Sequence, residues 1–275
     1  MIQSVKLITM QFLMTCFILC IGVQADAQKE YSFGVVPQQS AAKLARAWQP
    51  ILTKISEKTG VHIRFKTAKN IPTFEDNLRQ GLYDFSYMNP YHFVVFNQLN
   101  GYEALARRGG SEIKGIVVVG RDSALSSLHD VAFAAVAFPS PAAFAASILP
   151  RAAFYEQGIS IDPQYVSSHD SVYLNVARGR MVAGGGIMRT LNALPIQTRE
   201  KLRVLWTSPG YTPHAVAAHP RVDALIAESV ATVLASLHLD EQQRELLVPL
   251  RIKRFDTATN SDWDDVRALS ISELE

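Results

Sequence analysis

The chain has 275 residues, 48% of them hydrophobic and 19% charged, with a formal net charge of +2. That balance is ordinary for a folded globular protein: it excludes a disordered or low-complexity chain, and so small a positive charge gives no footing for a nucleic-acid partner. Both cysteines, Cys16 and Cys20, lie near the amino terminus, so the remainder holds neither a disulfide nor a thiolate metal site.

The opening stretch MIQSVKLITMQFLMTCFILCIGVQADAQ has a basic start at Lys6, an apolar run from Leu7 to Val23, and small residues at Ala25 and Ala27. It reads as a secretory signal peptide, residues 1–27, cleaved after Ala27. A retained membrane anchor is the alternative, against which the polar interruptions of the run count. Lipid attachment at Cys20 is opposed by the bulky Leu19 before it. Export of a mature chain without cysteine fits a bacterial periplasm.

YSFGVV (31–36) is a short buried-strand run, and Leu44, Trp48, Ile51, Leu52 and Ile55 then recur as one face of a helix closed by Gly60. VHIRFKTA (61–68) alternates as a half-buried strand. PTFEDNLRQG (72–81) is a short helix, and DFSYMN (84–89) a strand running into PYHFVVFNQL. ALARRG and EIKGIVVVG (112–120) read as longer strands able to cross between lobes. A second strand–helix series begins at VAFAAVAFPS (131–140) and continues through PAAFAASILPRAAF, SVYLNVARG, MVAGGG and RVLWTSPG. HAVAAHP returns as a strand, and RVDALIAESVATVLASL (221–237) is a long helix. The expectation is an α/β protein of two lobes around a central cleft, joined by two strand crossovers. Lobe 1 takes residues 28–119, lobe 2 takes 120–211, and 212–275 returns to lobe 1.

Four strand-to-helix junctions share a chemical character: PQQSAAK (37–43), MNPYHF (88–93), FPSPAAF (138–144) and SSHDSVY (167–173). Each sets small, hydroxyl or amide side chains where a helix begins. First-turn N–H groups lack intrahelical partners and carry the positive end of the macrodipole. Pro141 suits the first helical position, and Ser140 can cap or reach outward. In a parallel sheet such junctions lie at the carboxyl ends of strands, where ligands bind. Helix starts converging from two lobes would make an anion site; taken singly, each is also an ordinary capped helix.

FGVVPQQSAAKLARAWQPILTKISEKTG, DFSYMNPYHFVV, FPSPAAFAASILPRAAF and HDSVYLNVARGRMVAGGGIMRTL together resemble the phosphate/phosphite/phosphonate ABC-transporter substrate-binding proteins, from about Tyr31 to about Arg221. The resemblance implies a type II periplasmic binding fold that closes on a small oxyanion by hinge motion and delivers it, as a monomer, to a membrane ABC permease, without cofactor or catalysis. It carries the second-lobe grip onto Ser140, Pro141, Ala142 and Ala143, and the first-lobe contribution onto Gln38, Gln39, Ser40, Tyr87, Asn89 and Tyr91. His169, Asp170 and Ser171 match the polar start of the next helix. Val182 stands where many relatives carry an acid, and Pro141-Ala142 where tight phosphonate binders often have a Ser/Thr pair.

Several of these residues admit two readings. Asp170 could accept a proton-bearing ligand oxygen, with His169 donating to a charged one, or it could cap its helix. Gly184, Gly185 and Gly186 could form an anion nest or a tight strand-to-helix turn. Arg189 could pair with ligand oxygens or with a structural acid. Tyr87 could donate its hydroxyl or pack on the lobe face; Tyr91 is the tyrosine expected to face the ligand. Tyr211 could be a lid or hinge residue. The remaining histidines show no metal spacing. The same fold could serve as a sensing module or take a different solute; a Ser140/His169/Asp170 hydrolase is the rival from another class, without a G-x-S-x-G motif to support it.

Overall fold

The computed structural model describes residues 29–272; the expected leader, its cysteines and the cleavage after Ala27 lie outside the described residues. Two sheets form the molecule. The first has the order β11-β4-β10-β3-β1-β2, with β1 Glu30–Val35, β2 His62–Lys66, β3 Phe85–Met88, β4 Glu103–Gly109, β10 Ala215–Ala218 and β11 Arg254–Thr257. The second has the order β7-β6-β8-β5-β9, with β5 Gly115–Gly120, β6 Ala135–Phe138, β7 Asp162–Tyr165, β8 Ala183–Ile187 and β9 Leu202–Thr207. β1 pairs in parallel with β2 and β3, and β6 with β7 and β8. Strand–helix units therefore build both halves, as the alternating pattern requires. The second sheet begins at Gly115, ahead of the residue-120 boundary expected from the sequence.

Helices on the first sheet follow their sequence signals closely. α1, Ala41–Thr59, starts at Ser40 and stops at left-handed Gly60, burying Leu44, Trp48, Ile51, Leu52 and Ile55. α2, Ile71–Arg79, is capped by Asn70, and α3, Pro90–Asn100, by Asn89. Each places proline in its first turn, where the missing N–H costs nothing.

The second lobe departs from expectation at its first helix. The chain turns through Pro141 and Ala142, a single π turn spans Phe144–Ile148, and α4 continues over Leu149–Glu156. Pro141 is thus outside the helix, Ser140 does not cap it, and the residue before the first turn is Ala143. α5, His169–Ala177, is capped by Ser168; the short α6, Met188–Asn192, follows β8.

Gly184, Gly185 and Gly186 are neither a nest nor a turn; they lie inside β8. Their role is close approach. A Cβ on Gly185 would lie 2.0 Å from the Ala146 carbonyl oxygen, and one on Gly186 would lie 2.2 Å from the Tyr173 hydroxyl. Only bare backbone lets the π turn and α5 press onto this sheet. The run Ala142–Ala146 with Ile148 and Leu149 joins the main core together with Phe33, Trp48 and Tyr87 of the first sheet. The lobes therefore share an apolar seam.

Two crossovers, 110–114 and 208–214, join the lobes, and they pair with each other: Ile113 and Tyr211 exchange backbone hydrogen bonds of 2.8 and 3.0 Å. Tyr211 packs its ring edge-on to Phe144 at 5.5 Å.

Candidate functional site

β1 ends at Val35, and the turn after it carries Gln38 between the sheets, where it is buried. The Arg189 guanidinium of α6 donates to Gln38 Oε1 across the lobes. Arginine can only donate, so the Gln38 amide has a defined orientation, with its Nε2 turned to His214 Nε2 at 3.0 Å. The amide donates there, leaving Nε2 of His214 unprotonated. Burial, then Arg189 and Arg108, hold the His214 pKa well below its ordinary value.

Asn89 works in both directions. Its Oδ1 accepts the His92 N–H at 2.8 Å and caps α3, while Nδ2 donates to the Ala142 carbonyl of the other lobe at 3.2 Å. Facing it is the start at Phe144. The first backbone N–H turned inward by the π turn is that of Ser147, to Ala143 O at 2.7 Å. The amides of Phe144, Ala145 and Ala146 have no acceptor within the helix, and Ala143 has no side-chain oxygen to supply one.

An enclosed gap lies where these parts meet. Val36, Gln38 and Asn89 line it from the first lobe; Ala143–Ala146, His169 and Ile187 line it from the second; Ile113 and His214 line it from the crossovers. Its free volume is about 10 Å³, scarcely room for one water. His169 is fully enclosed, its Nδ1 3.3 Å from Thr190 Oγ1, which sits 2.8 Å from the Tyr173 hydroxyl. Burial and the neighbouring Arg189 lower the His169 pKa to about 3. Two neutral histidines and an amide-rich helix start thus line one gap, with Arg189 behind Gln38 and Arg108 acting on His214 from outside it, and no carboxylate lines it.

The sequence-derived residues divide accordingly. Gln38, Asn89, Ala143 and His169 line the gap, Ala142 bridges to Asn89, and Arg189 reaches it through Gln38. Tyr87 is buried against His214, ring centroids 5.0 Å apart and nearly parallel, and its hydroxyl has no partner. The Ser140 hydroxyl is buried and unpartnered.

Other residues are placed elsewhere. Gln39 is half-exposed and Ser40 exposed, Ser40 being occupied as the cap of α1. Pro141 lends only its carbonyl, to Arg151 at 3.4 Å. Tyr91, expected to face the ligand, instead donates its hydroxyl to the Ile271 carbonyl at 3.1 Å and lines a separate hollow under the carboxyl-terminal segment. Ser171 is tied to Ser168 in the cap of α5. Asp170 meets Lys43 of the first lobe at 3.2 Å on the rim. Ser140, His169 and Asp170 make no hydrogen bond with one another, so no hydrolytic triad is assembled.

Sequence reasoning missed His214, Arg108 and Lys43. His214 lies on the second crossover and Arg108 near the start of the first, segments that must pass between the lobes, and polar residues there are exposed to the gap by topology alone. Among the described residues, no group of three or more His, Cys, Asp or Glu is placed to hold a metal ion.

A family model described as "ABC transporter, phosphonate, periplasmic substrate-binding protein" matches residues 33–263. Solved structures of the same fold include a binding protein component of an ABC phosphonate transporter from Pseudomonas aeruginosa, at TM-score 0.82 and 17% identity over 88% of this chain and 86% of that one. PhnD1 from Prochlorococcus marinus in complex with methylphosphonate superposes at TM-score 0.81 and 17% identity, over 88% and 97% of the two chains. A protein from Xanthomonas citri bound to ATP matches at TM-score 0.68 and 15% identity, over 90% and 99%.

Proposed function

The chain belongs to the family of phosphonate ABC-transporter periplasmic substrate-binding proteins, and on that premise we propose that it captures a small phosphorus oxyanion, a phosphonate, phosphite or phosphate, in the gap between its lobes. Membership carries periplasmic work: binding a small solute and delivering it to a membrane permease. The oxyanion, the monomeric state and the residues that hold the ligand are our reading.

One observation supports it above the others. The uncapped start at Phe144 lies in the wall of a gap that also gathers Gln38, Asn89 and His169 from both lobes, beside Arg189 and without a carboxylate. Fixed N–H donors and a helix start favour an anion. Donors drawn from two lobes make capture depend on closure.

The gap of about 10 Å³ admits no phosphoryl group with the lobes as they stand. Entry therefore requires the lobes to part about the paired crossovers, breaking Gln38–Arg189, Asn89–Ala142 and Lys43–Asp170. The ligand takes the place of the first two contacts as the lobes close again around its larger volume, and Lys43–Asp170 stays parted on the wider rim.

A thermal-shift panel on the mature chain tests the reading, with phosphate, phosphite, methylphosphonate, 2-aminoethylphosphonate and sulfate at millimolar concentration. A ligand at 1,000 times its Kd stabilises the fold by about 4.1 kcal/mol, so micromolar binding registers plainly. We expect at least one phosphorus oxyanion to raise the melting temperature. Silence from all of them, with a response to some other solute class, overturns the reading.

A further inference from the structure

Outside the gap lies a second hollow of about 330 Å³, walled by Arg108, Lys114, Arg189 and Arg251, with Ile113 and Ile187 shared between the two. Arg189 belongs to this outer hollow and reaches Gln38 of the inner gap. The hollow is thus the gap's vestibule.

Its three guanidiniums come from three separate segments: Arg108 from β4, Arg189 from α6, and Arg251 from the turn after Val248–Leu250. Among the described residues, none of the three is in an ion pair with a carboxylate; their bonds run to Gln38 and to the carbonyls of Arg251 and Asn192. The one acid in the wall, Glu112, is 3.6 Å from Lys114 Nζ and is balanced by it. Arg108 Nε is buried and without a partner. Burial holds the Arg108 pKa below its ordinary value, and nearby Arg189 pushes the same way. Like charges converging with no counter-charge are costly unless an anion joins them.

Arg251 adds a second sign. It holds a left-handed backbone with φ of 52°, a conformation suited to glycine or asparagine and costly for a long side chain. From there its guanidinium donates to the Asn192 carbonyl of the other lobe at 2.7 Å. Glycine would satisfy the turn; arginine places a positive charge across the mouth.

We propose that Arg108, Arg189 and Arg251 in the vestibule bind a second anionic group of the ligand, so that the solute is a phosphorus oxyanion bearing a further carboxylate or phosphoryl group rather than an amine. This rests on the oxyanion reading of the inner gap. The inner gap takes the first anionic group; the vestibule, net positive and open to solvent, takes the second and repels a cationic tail.

Isothermal titration calorimetry at 0.15 M salt tests it, with phosphonoacetate and methylenediphosphonate against methylphosphonate and 2-aminoethylphosphonate. At least one doubly anionic ligand is expected to bind tenfold or more tighter than methylphosphonate, and 2-aminoethylphosphonate weaker than methylphosphonate. The two doubly anionic arms distinguish a carboxylate from a phosphoryl tail. Arg251→Asn, which suits the left-handed turn, is expected to remove most of that tenfold gain; the gain is read as the ratio of the two affinities within the variant, which cancels any change in closure from losing the Arg251–Asn192 contact. Methylphosphonate binding as tightly as both doubly anionic ligands, or an aminophosphonate preference, overturns this inference and leaves the oxyanion reading standing. If no phosphorus compound binds, both fall.

Discussion

The helix starts on the two sides of the gap are built differently. Ser40 and Asn89 on the first lobe each turn a side-chain oxygen onto the first-turn amides of their own helices, at 3.4 and 2.8 Å. On the second lobe Ser168 does the same for α5 at 3.1 Å, but the start at Phe144 has only Ala143 before it. A side-chain cap satisfies a helix and uses its donors. The start without one keeps its donors for whatever enters the gap, and it is the start that the glycines of β8 allow to sit directly on the sheet. The short α6, after Ile187, also lacks a side-chain cap; what sets the start at Phe144 apart is that the uncapped run Ala143–Ala146 itself lines the gap.

The largest expected effect on this arrangement comes from acid, because a proton added there would meet a helix start and two arginines. His169 titrates at about 3 when folded and His214 well below 6.5, both through burial first and Arg189 next. An unfolded histidine titrates near 6.5. Above that pH both states are neutral and the histidines make no difference. Below it the unfolded chain takes up protons that the folded chain refuses, so stability falls as pH drops from 6.5 toward 3. Each histidine contributes a slope of about 1.4 kcal/mol per pH unit. Urea titrations at pH 7.5, 6 and 5 measure it, and His169→Gln should flatten the curve. A wild-type curve with no loss between pH 6.5 and 5 would refute the enclosed, neutral state of both rings.

The next effect comes from erasing the contrast between the starts. Ala143→Asp supplies the cap that Phe144 lacks and sets a fixed negative charge in the gap. Oxyanion affinity is expected to fall 100-fold or more, about 2.7 kcal/mol, with the secondary structure retained by circular dichroism. If calorimetry instead finds affinity unchanged, the Phe144 amides do not hold the ligand.

The first lobe was legible in the sequence almost residue by residue, because each signal acts locally. The apolar face of Leu44 to Ile55, the caps Ser40 and Asn89, the first-turn prolines and Gly60 all depend on neighbours within a few positions. The second lobe was legible in outline and misread in detail. FPSPAAF looks like Pro-initiated helix, yet the chain turns once more and begins at Phe144, since packing against β5 and β8 decides where that turn rests. The triple glycine looks like a loop because nothing local shows that Ala146 and Tyr173 will press against it. Tyr91 was misplaced for a related reason: it follows the Asn89 cap, but the helix twist turns its ring toward Ile271 rather than the gap. His214 and Arg108, more than 100 residues apart in sequence, are brought to the site by the two crossovers, and no spacing rule records that.

The smallest expected effect concerns Lys43–Asp170, and its sign is the informative part. The pair joins the lobes on the rim at 3.2 Å, with side chains 39% and 24% exposed, so it stabilises closure by well under 1 kcal/mol. With the lobes so close that the gap holds about 10 Å³, anything that favours this arrangement competes with ligand entry, and the apparent Kd rises as the competent fraction falls. Lys43→Gln and Asp170→Asn should therefore each tighten oxyanion binding, by about twofold. The two substitutions change the net charge in opposite directions. A field effect would weaken binding in the first and strengthen it in the second, and 0.15 M salt screens much of that contribution. Calorimetry on both variants separates the cases: equal tightening identifies a latch, whereas opposite shifts reduce the pair to a contribution to the field around the mouth.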